Sequence, residues 1–256
     1  MRKIALFIIS LTFSGHVFAI NMIYVKGGDI ELAVRPYDGA PRTVPIYLND
    51  FYLSSTELSV GAWKEYLDKS GYEYDWNYPP SRFEYGNLMY HMPQNDSQAI
   101  HLISFLEALE YCNWLSRSEG FDEVYEIDYV QGSAKWYRSG NGYRLPTEAE
   151  WQWAAIGGEY SQGNLYSGSD DLKDITSEIS KRKMYSLPVA THQPNELGLY
   201  DMTGNIEEFC WDFFSFSSPD WSDGEKNPLS KRLEEYTDPV IKSQVITNYI
   251  GILESV

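Results

Sequence analysis

GYRLPTEAEWQWAA, residues 142–155, is the stretch on which the reading of the fold turns. Thr147 is placed to cap a helix, Glu150 lies three residues on and can reach back to the cap, and Pro146 keeps the helix from starting earlier. The spacing therefore predicts a helix beginning at Thr147. Trp151, Ala154 and Ala155 recur at helical spacing, so one face of that short helix is apolar and must be buried. Its distant companion is NELGLYDMTGNIEEFCWDFF at residues 195–214, rich in turn residues and aromatics.

Working outward, composition narrows the class of protein. The chain has 256 residues, 43% hydrophobic and 16% aromatic, enough to bury one substantial core. Large side chains pinning long connections fit a loop-rich domain better than a helical bundle. The net charge of −17, with no basic stripe to offset it, argues against nucleic acid and anionic lipid as partners. It suits a basic partner or divalent cations, or serves simply for solubility.

Residues 1–19, MRKIALFIISLTFSGHVFA, have the anatomy of a secretory signal: Arg2 and Lys3, an apolar run over 4–13, and Val17-Phe18-Ala19 as a small-residue site. Cleavage is expected after Ala19. The apolar run is short for a membrane span. The expected product is exported, periplasmic or secreted, with no stable membrane insertion after cleavage. Two cysteines, Cys112 and Cys210, lie in the exported part. An oxidising compartment would permit a disulfide, and each also reads as a small buried residue.

Along the chain, residues 21–34 hold two apolar runs around Gly27-Gly28, which predicts a hairpin. Val44, Ile46 and Leu48 alternate, then Phe51 and Leu53 resume after Asn49-Asp50, predicting two strand pieces with a break. Val60, Trp63 and Leu67 share a helical face, with Ser59 as cap and Gly71 as stop. Residues 72–96 read as a packed aromatic loop. Ser104 and Glu107 form a second capping box, opening a helix striped by Ala108, Cys112 and Leu115 and ending near Gly120. Strands are expected over 125–127 and 134–137 around Gly132. Residues 159–186, with SGSDD at 167–171, read as a solvated loop whose spacing matches no calcium loop.

Four ordered segments carry a family resemblance. GYRLPTEAEW followed by NELGLYDMTGNIEEFCWD resembles the formylglycine-generating enzyme family, the sulfatase-modifying factor domains. FYLSSTEL at 51–58 and ISFLEALEYCNWL at 103–115 agree with it. The resemblance implies an α+β, C-type-lectin-like fold: two main helices on small twisted antiparallel sheets with long irregular loops. It divides the chain into a signal peptide at 1–19, the family domain at 20–216, and a divergent or truncated segment at 217–256. It also implies a structural calcium position at Gly204, Asn205, Ile206 and Glu208, where oxygen ligands crowd around a glycine turn. The residues alone support equally a turn in which Asn205 satisfies backbone and Glu208 pairs locally.

The family's enzymes oxidise a cysteine of a client sulfatase to formylglycine, using oxygen, copper and a late cysteine pair beyond an RGGSW-type segment. After Phe214 this sequence has neither that segment nor a cysteine. Cys112 and Cys210 fall inside upstream structural motifs, so copper is not expected and no catalytic residue is assigned. A related iron-dependent branch needs a histidine triad, whereas His16, His91, His101 and His192 show no ligand spacing. The expectation is an exported binding or envelope-assembly module with a protein or glycan partner, a pseudoenzyme of the family. The alternative is a protein-modifying oxidase whose catalytic segment is missing from this sequence. The replacement of family core strands by residues 240–253 is a further expectation.

Overall fold

The computed structural model describes residues 20–34, 42–74, 93, 95–176, 186–212, 221 and 223–229. The signal segment, most of the 72–96 loop and residues 240–253 lie outside the described residues. The strands are β1 (Met22–Val25), β2 (Gly28–Val34), β3 (Arg42–Leu48), β4 (Phe51–Ser54), β5 (Tyr125–Asp128), β6 (Ser133–Trp136) and β7 (Glu225–Lys226). The helices are α1 (Val60–Ser70), α2 (Phe105–Glu119), α3 (Glu148–Ala155) and the single turn α4 (Leu172–Ile175). This is the expected mixed α+β architecture of few helices and small sheets.

Each main helix starts where its capping residue dictates. Ser59 Oγ accepts from Ala62 N at 3.2 Å, and Gly71 closes α1 in the left-handed region at φ 70°. In α2, Ser104 N donates to Glu107 Oε2 at 2.6 Å while Ser104 Oγ accepts from Glu107 N at 3.2 Å. The same reciprocal pair opens α3, with Thr147 N to Glu150 Oε2 at 2.9 Å and Glu150 N to Thr147 Oγ1 at 3.2 Å. Orphan donors of the first turn are thereby satisfied at two of the three main helices by reciprocal boxes and at the other by a cap alone.

The expected hairpin around Gly27-Gly28 does not form. β1 pairs antiparallel with β4, in the register Tyr24 opposite Tyr52, and β2 pairs antiparallel with β3, Ile30 opposite Ile46. The chain crosses from one sheet to the other at Gly27. A Cβ there would lie 2.3 Å from the Leu48 carbonyl oxygen, so only glycine lets the strands change partners this closely. The Gly27 amide is taken up by Asp50 Oδ1 at 3.0 Å, on the Asn49-Asp50 break between β3 and β4. β7 adds to the β3 edge in parallel, through Ile46 and Tyr47. β5 and β6 form the expected hairpin.

Three apolar clusters follow. Ile30, Leu32, Val44, Ile46 and Leu48 alternate inward and pack on Trp151, Ala154 and Ala155 of α3, with Leu199, Met202, Cys210 and Trp221. α1 meets α2 through rings: Trp63 to Tyr111 at 5.9 Å and Tyr66 to Trp114 at 5.2 Å between centroids. The third lies between α2 and the β5–β6 hairpin, built on Leu109, Cys112, Val124 and Tyr125, with Trp211 stacked on Tyr125 at 5.0 Å. Of the expected packed loop, Tyr72 stacks on Tyr66 and Tyr74 meets Trp63 edge-on.

Candidate functional site

α3 is too short to persist on its own. The segment at 195–212 holds it at both ends. At the N-terminus Trp211 N donates to Pro146 O at 2.8 Å, and Asp212 Oδ1 accepts from Glu148 N at 2.7 Å. At the C-terminus the buried Asn195 side chain donates through Nδ2 to Ala154 O at 2.8 Å and to Ser167 Oγ at 3.2 Å. Its Oδ1 accepts from Leu197 N at 3.0 Å and Leu199 N at 3.2 Å. One amide thus caps a helix and shapes the following turn.

Arg144 completes this support. Its guanidinium makes a two-pronged pair with Glu150, Nη1 to Oε2 and Nη2 to Oε1 both at 2.7 Å, and lies 5.0 Å over the Trp136 ring. Glu150 therefore serves the cap, as its spacing implied, and neutralises a cation that spacing did not reveal.

Beside α3 the chain gathers carboxylates with few cations. Gly204 lies at φ 103° and Asn205 at φ 55°; a Cβ on Gly204 would sit 2.5 Å from Thr176 Oγ1, which reserves the position for glycine. Asn205 Oδ1 accepts from Leu187 N at 2.6 Å, and its Nδ2 donates to Glu57 Oε2 at 2.5 Å. Ile206 N donates to Glu57 Oε1 at 3.2 Å. Asp201, also in the left-handed region, accepts from Ala190 N at 2.8 Å. The Glu57 carboxyl is pushed well up by burial and then by the charges of Glu208 and Asp201. Burial raises Glu208 to about 8, helped by Asp201, and raises Glu207 to about 7. Asp201 is raised by burial as well.

Of the sequence-predicted positions, Gly204, Asn205, Ile206 and Glu208 share one turn, and Glu57 from the β4–α1 connection reaches into it. Glu57 was missed because its partners Asn205 and Ile206 are distant in sequence, and Asp201 because its place in the turn carries no periodic signal. FYLSSTEL contained Glu57, but only the family segment drew attention to it. Among the described residues no group of three or more His, Cys, Asp or Glu is placed to hold a metal. The aspartates of SGSDD serve local turns: Asp170 Oδ1 accepts from Leu165 N and Asp171 Oδ1 from Lys173 N. Both cysteines are buried free thiols.

Small sheets, capped helices and long braced loops define a formylglycine-generating-enzyme-like fold. The family model for the sulfatase-modifying factor enzyme 1-like domain matches residues 16–234, and the chain belongs to that family. It is 28% identical over 225 residues to the chaperone protein LppX of Paenibacillus barcinonensis, covering 76% of this chain and 72% of that protein. It is 24% identical over 222 residues to the inactive C-alpha-formylglycine-generating enzyme 2 of Bos taurus, covering 76% and 71%. Some relatives are much longer: it spans 28% of a serine/threonine-protein kinase, pkn1, of Chlamydia caviae. Among solved structures, the Treponema denticola variable protein 1 superposes with a TM-score of 0.56 at 23% identity, covering 80% of this chain and 76% of that one. That likeness bears on the fold.

Proposed function

We propose that this chain is an exported, non-catalytic member of the family, a lectin-like module that binds a protein or glycan partner or contributes to an assembly in the cell envelope. The setting of its two thiols carries the reading. Oxidation of a client cysteine by the family's route needs a pair of thiols close together, able to ionise and open to a soft metal. Cys112 is packed between α2 and the β5–β6 hairpin, while Cys210 belongs to the separate cluster under α3. Burial pushes the Cys112 thiol up to about 12. Cys210 is raised well above the ordinary thiol range by burial and by Asp212, Glu148, Glu208 and Glu150 around it. Two buried thiols in separate clusters, each favoured in its protonated form, do not make the close and open pair that this chemistry needs.

Two relatives support the reading by name, one a chaperone protein and one an inactive enzyme. Export rests on residues 1–19, outside the described residues. Among the described residues no helix is long and apolar enough to cross a membrane. The test is to incubate the purified chain with copper, oxygen and a sulfatase-type cysteine peptide. No mass change in the peptide is expected, and conversion of its thiol to the formylglycine aldehyde would sink the proposal. The second reading, an oxidase whose catalytic thiols lie outside this sequence, draws on the match to an oxidase-containing family over residues 16–234. An RGGSW-like segment in the adjoining coding sequence would favour it.

The turn at 204–208 is the proposed place for structural calcium. The donor chemistry fits a hard cation: the Glu208 carboxyl is withdrawn from water, and no Lys or Arg among the described residues forms an ion pair with it. Asn205 and Glu208 would hold the ion with side-chain oxygens, and Gly204 and Ile206 with backbone carbonyls. Asn205 Oδ1 would then share its present bond from Leu187 N.

The folded pKa of Glu208, about 8, lies above the ordinary value of 4.5, so the fold retains a proton that the unfolded chain gives up. Stability is then fullest below about pH 4.5 as far as this group decides it, and is lost as pH rises through about 8. In chelator, the melting temperature is expected to be about 5 °C lower at pH 8 than at pH 5.5. Calcium should restore most of that difference at pH 8 and little at pH 5.5. A pH-independent melting temperature with no calcium response would remove both the site and the titration.

A further inference from the structure

We propose that the outer face of the β1–β4 sheet, centred on Tyr24, Tyr52 and Asp50, is a docking surface for a basic segment of a partner protein, gripping its lysine or arginine side chains. This rests on the binding-module reading and gives that module a place and a chemistry.

Tyr24 and Tyr52 are register partners on adjacent strands, with ring centroids 5.4 Å apart and planes at 61°. They are 47% and 58% exposed, whereas Phe51 and Val25, pointing the other way, are buried. One face of this two-stranded sheet thus packs on the core. The other presents phenol rings to solvent.

The Tyr24 ring is held in place. Tyr24 Oη donates to Asp50 Oδ2 at 2.8 Å, and the other Asp50 oxygen accepts from Gly27 N at 3.0 Å. The strand end is tied to α3 by Trp153 Nε1 donating to Lys26 O at 2.9 Å, and to the 3-10 turn Gly158–Tyr160 by the Lys26–Glu159 ion pair at 2.7 Å. That turn carries Tyr160, 61% exposed. A ring fixed before binding loses little entropy on contact.

The charges select the occupant. Lys26, whose charge reaches Asp50, is itself engaged by Glu159. Asp50 is bonded by neutral donors, a phenol and a backbone amide, and no ion pair to it is formed among the described residues. An exposed carboxylate with no ion pair among the described residues, beside exposed ring faces, is the combination that attracts an ammonium or guanidinium group: ring quadrupole below, carboxylate at the side. The whole chain, at −17, adds long-range attraction for a basic partner and repels anionic polymers.

The test titrates the purified full chain with a labelled Gly-Ser peptide bearing interspersed Arg and Lys, with the same peptide bearing Glu instead, and with cellotetraose. The basic peptide is expected to bind, more weakly as salt rises, and the acidic peptide and the sugar are not. Tyr52→Ala and Asp50→Asn should each weaken binding about fivefold, corresponding to the loss of one cation–ring or charge contact. Tyr52→Phe, which keeps the ring, should bind as the parent does, as should Asp68→Asn, which removes a charge from the exposed side of α1. Equal weakening by Asp50→Asn and Asp68→Asn would reduce the attraction to diffuse charge and overturn the site. Binding of cellotetraose in place of the peptide, or of no probe, would overturn it too. The formylglycine assay on the same preparations keeps the two proposals apart. Product formation with Tyr52-dependent peptide binding removes the non-catalytic reading and leaves this surface, whereas no product and no peptide binding does the reverse.

Discussion

Replacing Arg144 by alanine is expected to lower the unfolding free energy by about 3–5 kcal/mol, the cost of leaving a buried ion without its partner. Glu150 is 6% exposed and takes both prongs of the guanidinium at 2.7 Å. Without Arg144 its charge would face the α2–hairpin cluster and the Trp136 ring. Arg144→Lys should recover only part of the loss, because an ammonium supplies a point charge where the carboxylate meets a planar fork. Arg144→Met combined with Glu150→Gln should be milder than Arg144→Ala alone, since glutamine can still reach the Thr147 amide and carries no charge. Urea unfolding followed by tryptophan fluorescence reads all three. A loss below about 1 kcal/mol for Arg144→Ala would mean that water solvates Glu150 once the pair is opened.

The second large effect is expected at Asn195, where alanine should cost about 2–4 kcal/mol. The side chain is 5% exposed and serves carbonyls at the end of α3 and amides of the next turn at once. Its removal strands donors and acceptors where water has little access. For a chain of this size the melting temperature should fall by about 5–10 °C. Asn195→Asp is the sharper variant. It keeps the acceptor for Leu197 N and Leu199 N, and sets an anionic oxygen against Ala154 O and Ser167 Oγ in place of the donor. It should be no more stable than Asn195→Ala. A clearly more stable aspartate variant would show that the turn amides, not the helix end, need the residue.

These two residues also show what was legible in the sequence. Helix starts are local: a hydroxyl, a carboxylate three residues on and an apolar stripe lie within one window, so Ser59, Ser104 and Thr147 could be read directly. Strand pairing is not local. The runs on either side of Gly27 looked like a hairpin because alternation and a glycine pair are all that a short window shows. The partner of β1 lies beyond β3, and the close approach of Gly27 to Leu48 is visible only once the sheets are assembled. The candidate site divides in the same way. The glycine turn at 204–208 announced itself, but Glu57 meets Asn205 across most of the chain, and nothing around Glu57 hints at that meeting. Arg144 and Glu150 are close in sequence, yet their pairing depends on the irregular backbone between a strand and a helix, which carries no periodicity to read.

The two-ended hold on α3 also sets an order of events in folding. Eight residues of helix with a costly nucleus cannot stand alone. The groups that secure both ends, Asn195 and Trp211 with Asp212, come some forty to sixty residues later. A chain made from its N-terminus can form α1 and α2 early, each with its own cap. The cluster under α3 must wait for residues 195–212, so the β2–β3 sheet keeps an uncovered apolar face in the meantime. A chain ending at residue 194 should accordingly retain slow hydrogen exchange in α2 and show none at 151–155. During synthesis the second half of this molecule acts as the assembly partner of the first.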